Sequence, residues 1–228
     1  MWLPRFCPFL AVLAAVLGAG PQNPPRPGEP ALFQLPLFPV HIAQKNISLS
    51  KALEEIGVRV RNGYVLFGIE VHREDGKEPS VNLDLPPGST LGDALQQVFR
   101  QLPNYSYELV SPHLINIYPA GTKTDPQDPL NIRVQRFEIT NKQASDVLAA
   151  PHLFIAELQQ RLTPPRAGAP QPSGSVGPRM RSTGPPVSLR LRGRTVRQIL
   201  NAITEATEQF PPQYTPVGWV YSFQRDPA

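Results

Sequence analysis

The chain has 228 residues and a formal net charge of +4, and 29 of its residues are proline. This length is sufficient for one or two domains with a buried core, whereas a proline content more than twice the usual ~5% divides the chain into globular stretches and linkers. The only cysteine, Cys7, lies in the leader, which excludes disulfide bonds and a cysteine nucleophile from the rest of the sequence.

The first 20 residues are typical of a secretory signal peptide. Arg5 precedes an apolar run at 9–17, which is too short to span a bilayer comfortably, and small residues follow at 18–20. We expect cleavage after residue 19 or 20 and export to the periplasm or the extracellular space; an uncleaved N-terminal anchor is the alternative. Residues 21–32 then predict an extended, proline-rich tether.

Residues 33–121 are predicted to form a first domain. Alternating or β-rich segments indicate strands, and amphipathic segments that follow a serine or threonine indicate helices. The segment 64–71 is apolar at nearly every position, which predicts a strand that is buried on both faces. The predicted elements, in chain order, are a strand at 40–42, a helix at 49–56, strands at 64–71 and 81–85, a helix at 90–102, and strands at 105–110 and 114–118.

The strand and helix at 81–102 have a second version at 187–203. Each version begins with V-x-L-x-L, in which the apolar residues alternate with polar ones, and passes through a glycine to a threonine. Thr90 and Thr195 are predicted helix N-caps, because Asp93 and Gln198 stand three residues later in capping-box positions. The pattern indicates an internal duplication.

A linker at 122–130 and a second, divergent domain at 131–228 are predicted next. The domain begins with a strand at 131–140, with a bulge near 135–136, and continues with a helix at 144–162. Pro151 should kink that helix or divide it into two. A disordered loop rich in Pro, Gly and Arg is expected at 163–186, and a closing strand at 219–223. No counterpart of the strand at 64–71 is present in this half.

The residues of the repeated element resemble those of the secretin and TonB short N-terminal (STN) domain. The V-x-L-x-L strand, the threonine cap, a helix with A-L or I-L at its centre and a closing I-x-I strand carry the resemblance, which covers about 33–120 well and 131–226 partially. It implies an α+β fold of two small strand-helix-strand-strand-helix-strand-strand modules, each with two helices packed on small mixed sheets. It also implies a periplasmic protein-interaction module without catalytic residues.

Catalytic and metal-binding patterns are not recognised in the sequence. The chain has no P-loop and no G-x-S-x-G motif. The four histidines, at 41, 72, 113 and 152, are far apart and are interpreted as having no acidic residue or cysteine at ligand spacing. Carboxylate pairs such as Glu54-Glu55 are adjacent and are expected to be solvated. We therefore predict no enzyme activity, cofactor or metal; a hydrolase with an unrecognised site is the remaining alternative.

Positive charge is concentrated between residues 158 and 204, where the sequence has eight arginines and no acidic residue. By contrast, residues 21–157 contain 12 basic and 15 acidic residues. This cluster predicts a patch that binds an anionic envelope polymer, lipid headgroups or an acidic partner; a solvated surface that protects an edge strand is the alternative. The candidate patch residues are Arg179, Arg181, Arg190, Arg192, Arg194 and Arg197.

Together these observations predict a non-enzymatic, extracytoplasmic module for protein interaction or envelope assembly. Its partner is expected to be an envelope protein, or a second copy of the chain, that adds a strand to an exposed sheet edge. The alternative is a binder of anionic envelope polymer or lipid headgroups through the arginine patch. Nucleic acid is not expected as a partner of an exported protein.

Overall fold

A computed structural model describes residues 31–61, 64–73, 76–162, 185–209 and 218–224, except for the side chains of residues 223 and 224. In these residues eight strands and five α-helices form an α+β fold, which confirms the predicted fold class. The predicted signal peptide, most of the tether and most of the loop at 163–186 lie outside the described residues.

The first half of the structure contains five strands and two α-helices, in the order strand, helix, strand, strand, helix, strand, strand. Hydrogen bonds of a capping box join Thr90 and Asp93 at the start of the second helix, as predicted. The elements are β1 (Ile42–Ser48), α1 (Leu49–Gly57), β2 (Leu66–Arg73), β3 (Ser80–Leu85), α2 (Leu91–Gln101), β4 (Tyr105–Ser111) and β5 (Leu114–Pro119).

The described part of the second half has three strands and three α-helices. The helix predicted at 144–162 is divided into two short helices at Pro151, which is the second of the two predicted alternatives, because the proline has no amide hydrogen to continue the helical ladder. Thr195 and Gln198 form the second capping box. The elements are β6 (Arg133–Gln143), α3 (Ala144–Ala149), α4 (Ala156–Leu162), β7 (Pro186–Thr195), α5 (Val196–Thr207) and β8 (Trp219–Gln224).

Each half contains an antiparallel two-stranded sheet, β1–β3 in the first and β6–β7 in the second. The register shifts by one residue in both sheets, at Asn46 in β1 and at Asn141 in β6, and these asparagines have positive φ angles of 52° and 49°. The bulge predicted near 135–136 is therefore wrong in position. Asparagine tolerates the left-handed conformation that such a bulge requires.

The two asparagine bulges are fixed by corresponding contacts. The amide of Asn46 donates to Asn82 Oδ1, and the amide of Asn141 donates to Ser188 Oγ, each at 2.9 Å. Both acceptor residues follow the first valine of the V-x-L-x-L segment. Each helix after the bulge also begins with an amide bonded to a proline carbonyl, that of Pro79 or of Pro185. The two halves thus share local structure that their sequences do not show.

A four-stranded sheet with the order β4-β5-β2-β8 connects the two halves. Strand β2 lies parallel to β5 on one side and to β8 on the other, and β8 comes from the second half. Residues 66–71 of β2 are all buried, as the unbroken apolar segment predicted. The first half therefore supplies the central strand against which the closing strand of the second half pairs.

The two faces of this sheet are covered by different cores. Phe67, Ile69 and other residues of the sheet pack with α1 and α2 in the first core. Trp219 and Tyr221 of β8 pack with α3 and α5 in the second core. The indole Nε1 of Trp219 also donates to Asn201 Oδ1 of α5 at 2.9 Å, which satisfies a polar group inside the second core.

Several predicted boundaries differ from the structure. The strand predicted at 40–42 begins only at Ile42, where β1 starts. Before it, Ala31–Gln34 forms a 3-10 helix, in which Leu32, assigned to the tether, is buried. The predicted linker at 122–130 is ordered, with two 3-10 turns and a fully buried Leu130. Pro186, assigned to the disordered loop, begins β7.

Substitution of Gly68 should weaken the attachment of β8. A Cβ atom at this position would lie 2.3 Å from Asn116 Oδ1 and 2.5 Å from Trp219 Cε2. Because overpacking typically costs about 1–3 kcal/mol, we expect Gly68→Ala to lower the free energy of unfolding by about this amount. Urea denaturation followed by circular dichroism measures the change in this variant and in the control variants.

A double-mutant cycle provides the control for Gly68. In a Trp219→Leu background the smaller side chain leaves room for the added methyl group, so Gly68→Ala should cost less than it does in the wild-type chain. Equal costs in the two backgrounds would contradict the proposed steric contact between β2 and β8.

Candidate functional site

Three of the predicted arginines lie together on the solvent-facing side of β7. Arg190, Arg192 and Arg194 are all exposed, whereas Leu189 and Leu191 of the same strand pack against the second core. Opposite Arg192 on β6 is a further exposed arginine, Arg136, which was not predicted. We call these four residues the arginine face. Arg179 and Arg181 of the predicted patch lie outside the described residues.

One carboxylate, that of Glu138, lies beside the arginine face. Glu138 lies opposite Arg190 and pairs with both Arg190 and Arg136. Hydrogen bonds from these two arginines lower the pKa of Glu138. Among the described residues, no carboxylate pairs with Arg192 or Arg194. Exposed ion pairs contribute little to stability, so the arginine face represents surplus positive charge on a solvated surface rather than a structural network.

The prediction for Arg197 requires correction, because this residue is buried at the start of α5. Its Nη2 atom lies 2.7 Å from Glu70 Oε2, and its guanidinium lies 5.9 Å from the ring centroid of Tyr118. Charge counting along the sequence could not distinguish it from its exposed neighbours. Its position on α5 distinguishes it from them, because the helix directs its side chain toward Glu70 of β2.

The outer edge of β3 is closed by two glutamines of α2. The side-chain amide of Gln97 accepts a hydrogen bond from the backbone N–H of Asp84 at 3.0 Å and donates one to the backbone carbonyl of Asp84 at 3.1 Å. Gln101 bonds Asn82 in the same two ways, at 2.8 Å each. The two side chains therefore satisfy the backbone groups that another strand would otherwise bond.

The corresponding edge of β7 has no such cover in the described part of the chain. Ser188 and Arg190 take the places of Asn82 and Asp84 in the ladder. The α5 positions that correspond to the two glutamines, counted from the threonine caps, are Ala202 and Ala206. Alanine has no group that can bond a strand edge. The same fold element is thus closed in one half and open in the other.

Hydrogen exchange should report the glutamine cover. In a Gln97→Ala/Gln101→Ala variant the Asn82 and Asp84 amides lose their acceptors. Because a hydrogen bond is worth about 1 kcal/mol, we expect exchange at these two amides to accelerate by about fivefold. NMR-detected exchange measures both sites, and the neighbouring substitution Gln96→Ala is the control. Unchanged rates in the double variant would contradict the cover.

A second polar site is buried between the sheet and α5. Glu70 of β2 is completely buried, and Arg197 reaches it from α5. Asp128, from the segment between the two halves, is also buried and lies 3.7 Å from Arg197 Nη2. His72, two residues after Glu70 on the same strand, places Nε2 3.6 Å from Glu70 Oε1. The cluster therefore joins residues from both halves and from the segment between them.

The two buried carboxyl groups share one proton. Burial, together with the hydrogen bond to Glu70 and its negative charge, raises the pKa of Asp128 to about 8. Burial would also raise the pKa of Glu70, but its interactions with His72, Asp128 and the Arg197 cation lower it overall. At neutral pH an ionised Glu70, a protonated Asp128 and the Arg197 cation leave the cluster neutral, as its burial requires.

The cluster also contains atoms of the kind that bind metals. Ligand atoms of Glu70, His72 and Asp128 all lie within 4.8 Å of one another. However, the guanidinium of Arg197 already occupies one side of the Glu70 carboxylate, and its charge opposes a second cation there. The predicted absence of acidic neighbours around the histidines was wrong, because Glu70 and His72 share one face of a strand at a spacing of two.

The stability of the protein should depend on the ionisation of Asp128. The folded protein holds the proton up to about pH 8, whereas the unfolded carboxyl group releases it near the ordinary pKa of 3.8. The folded state thus binds more protons in this window, and the free energy of unfolding should fall as the pH rises through it. Asp128→Asn cannot ionise and should flatten this slope.

Urea denaturation at several values between pH 5 and pH 8 measures the slope for both proteins. The asparagine keeps an oxygen that can accept the hydrogen bond that the Leu130 amide donates to Asp128 at 2.7 Å. Asp125→Asn, in the same segment, is the matched control and should retain the wild-type slope. Parallel curves for wild type and Asp128→Asn would contradict the shared proton.

A groove of about 380 Å³ lies between α2 and β4. It is lined mainly by apolar and aromatic groups, including Leu95, Phe99 and Tyr107, and Arg100 is its charged residue. The lining offers no nucleophile beside a base. Among the described residues no helix is long and apolar enough to cross a membrane.

Comparisons with known proteins give no assignment, since no family model, curated protein or solved structure matches this chain.

Proposed function

We propose that this chain is a non-enzymatic docking module of the cell envelope that binds a partner by strand addition at the outer edge of β7. The observation that carries the proposal is the contrast between the two halves. Gln97 and Gln101 close the edge of β3, whereas Ala202 and Ala206 offer no such bonds and no other described residue covers the corresponding edge of β7. Backbone groups on an open edge bond an incoming strand without any further rearrangement.

Other features support a docking role in the envelope. The leader is typical of exported proteins, and the chain after it contains no cysteine. The order of elements from β1 to β5 is the one that the resemblance to STN domains implies. Glu70, Asp128 and Arg197 are all buried and bonded to one another, so we assign the cluster a structural role in this proposal.

Peptide selection against an edge-closed variant tests the proposal. In Ala202→Gln/Ala206→Gln the new amides should bond the backbone of Arg190 and Ser188, as Gln97 and Gln101 bond β3. We expect random peptides displayed on phage to be enriched on the wild-type protein and to lose binding to this variant. The variant retains every arginine, so this loss reports the edge and not the charge.

A matched control and a contrary outcome follow from the first half. Gln97→Ala/Gln101→Ala opens the β3 edge and leaves β7 unchanged. Binding of the enriched peptides to this variant should therefore equal their binding to the wild-type protein. If every peptide enriched on the wild-type protein binds the edge-closed variant equally well, strand addition at β7 is wrong.

The arginine face favours a second candidate function, the binding of anionic polymer or lipid headgroups. In that case Arg190→Ser/Arg192→Ser/Arg194→Ser should abolish salt-sensitive retention on vesicles that contain anionic lipid or on cell-wall material. The edge-closed variant should be retained like the wild type. Retention that is insensitive to the serine substitutions would exclude this function.

A further inference from the structure

We infer that the strand accepted by β7 is an acidic segment of another protein, with carboxylates at alternating positions. This inference rests on the proposed docking at β7 and specifies the partner. An added strand would lie about 4.8 Å from β7, and every second side chain would stand beside the arginine face. Arg190 and Arg192 have this same period of two, so carboxylates at positions i and i+2 would match them in sequence, whereas Arg194 follows Gly193, whose φ of 61° interrupts the extended backbone.

The other face of the added strand should be apolar. Leu189 and Leu191 of β7 face the second core but are only partly buried, whereas the corresponding Leu83 and Leu85 of β3 are almost completely buried. Apolar side chains between the carboxylates would extend the core over these leucines. The recognised pattern is therefore acidic and apolar in alternation, which is the pattern of a strand with one wet and one buried face.

The charges of this chain exclude two other occupants. A second copy that paired through its own β7 would place arginines opposite arginines, and like charges across a strand pair are destabilising. Outside the described residues the chain has four acidic residues, Glu29, Glu74, Asp75 and Asp226, and none of them alternate. The acidic strand must therefore come from a different protein.

A set of four synthetic peptides of equal length tests the inference by titration at low and high salt. The first alternates glutamate with valine over eight residues. In the second the glutamates and valines are grouped into two blocks, in the third glutamine replaces glutamate, and in the fourth lysine replaces glutamate. We expect binding of the first peptide alone, with an affinity that falls as salt screens the charges.

Variants of the protein separate the edge from the charge. Ala202→Gln/Ala206→Gln should remove binding of the alternating peptide while keeping the arginine face. Arg192→Ser/Arg194→Ser should weaken it by between about two- and thirtyfold, since each cross-strand pair of opposite charge changes an equilibrium by up to about fivefold. If circular dichroism shows that the glutamine variant is unfolded, Ser188→Pro blocks the same edge by removing its amide donor, and Ser188→Ala, which loses only the hydroxyl that accepts from Asn141, is its control.

The outcomes distinguish this inference from the proposed function. Equal binding of the glutamine peptide, lost in the edge-closed variant, would overturn the acidic partner but leave strand addition intact. Equal binding of the block peptide, or retention of the edge-closed variant on anionic vesicles with the same salt dependence, would overturn the inference in favour of a polyanion surface. Failure of the alternating peptide to bind at low salt would also overturn it.

Discussion

Strand β2 is buried, so the backbone groups along both of its edges need hydrogen-bond partners and the side chains on both of its faces need packing partners. β5 and β8 bond its two edges, while the helices of the two halves cover its two faces. Each half therefore lacks something that the other supplies. The first half leaves one edge and one face of β2 uncovered, and the described residues of the second half include no central strand. Burial of β2 makes the two halves one structure.

The polar cluster around Glu70 follows from this burial. A carboxylate in the middle of a fully buried strand is costly unless it is paired and hydrogen-bonded. Arg197 neutralises it from α5, and the shared proton on Asp128 avoids a second negative charge. The three groups come from the central strand, a helix of the second half and the segment between the halves. The buried charges are therefore neutralised only when the two halves and the segment between them are in the observed arrangement.

The two halves differ most where function is proposed. Their ribbons, bulges and capping boxes correspond, so the packing of strand on helix is the same. Four side chains of the two helices make the difference at the edges, glutamines at 97 and 101 against alanines at 202 and 206. Stability requires the helices to keep their apolar faces, but it leaves these edge positions free to vary. A closed edge protects against unwanted pairing, and an open edge beside arginines selects its partner by charge.

Local patterns in the sequence were sufficient to predict most elements of the fold. Alternation predicted the ribbons, Thr90 and Thr195 predicted the two capped helices, and the unbroken apolar segment predicted a strand buried on both faces. These features depend on neighbours within a few residues, so the sequence contains their physical cause. The exposed positions of Arg190 and Arg192 followed from the same period of two.

Only the tertiary structure decided that β2 pairs with β8, which arginine is buried and which sheet edge stays open among the described residues. Arg197 is buried, unlike Arg194, because α5 places it beside the distant Glu70, and Gln97 covers an edge only because α2 packs beside β3. Such contacts join residues far apart in the chain, and no local propensity encodes them. The sequence by itself determined the strands, the capped helices and the surplus of arginine, because these depend on adjacent residues; the shared sheet, the neutral cluster and the open edge depend on long-range packing.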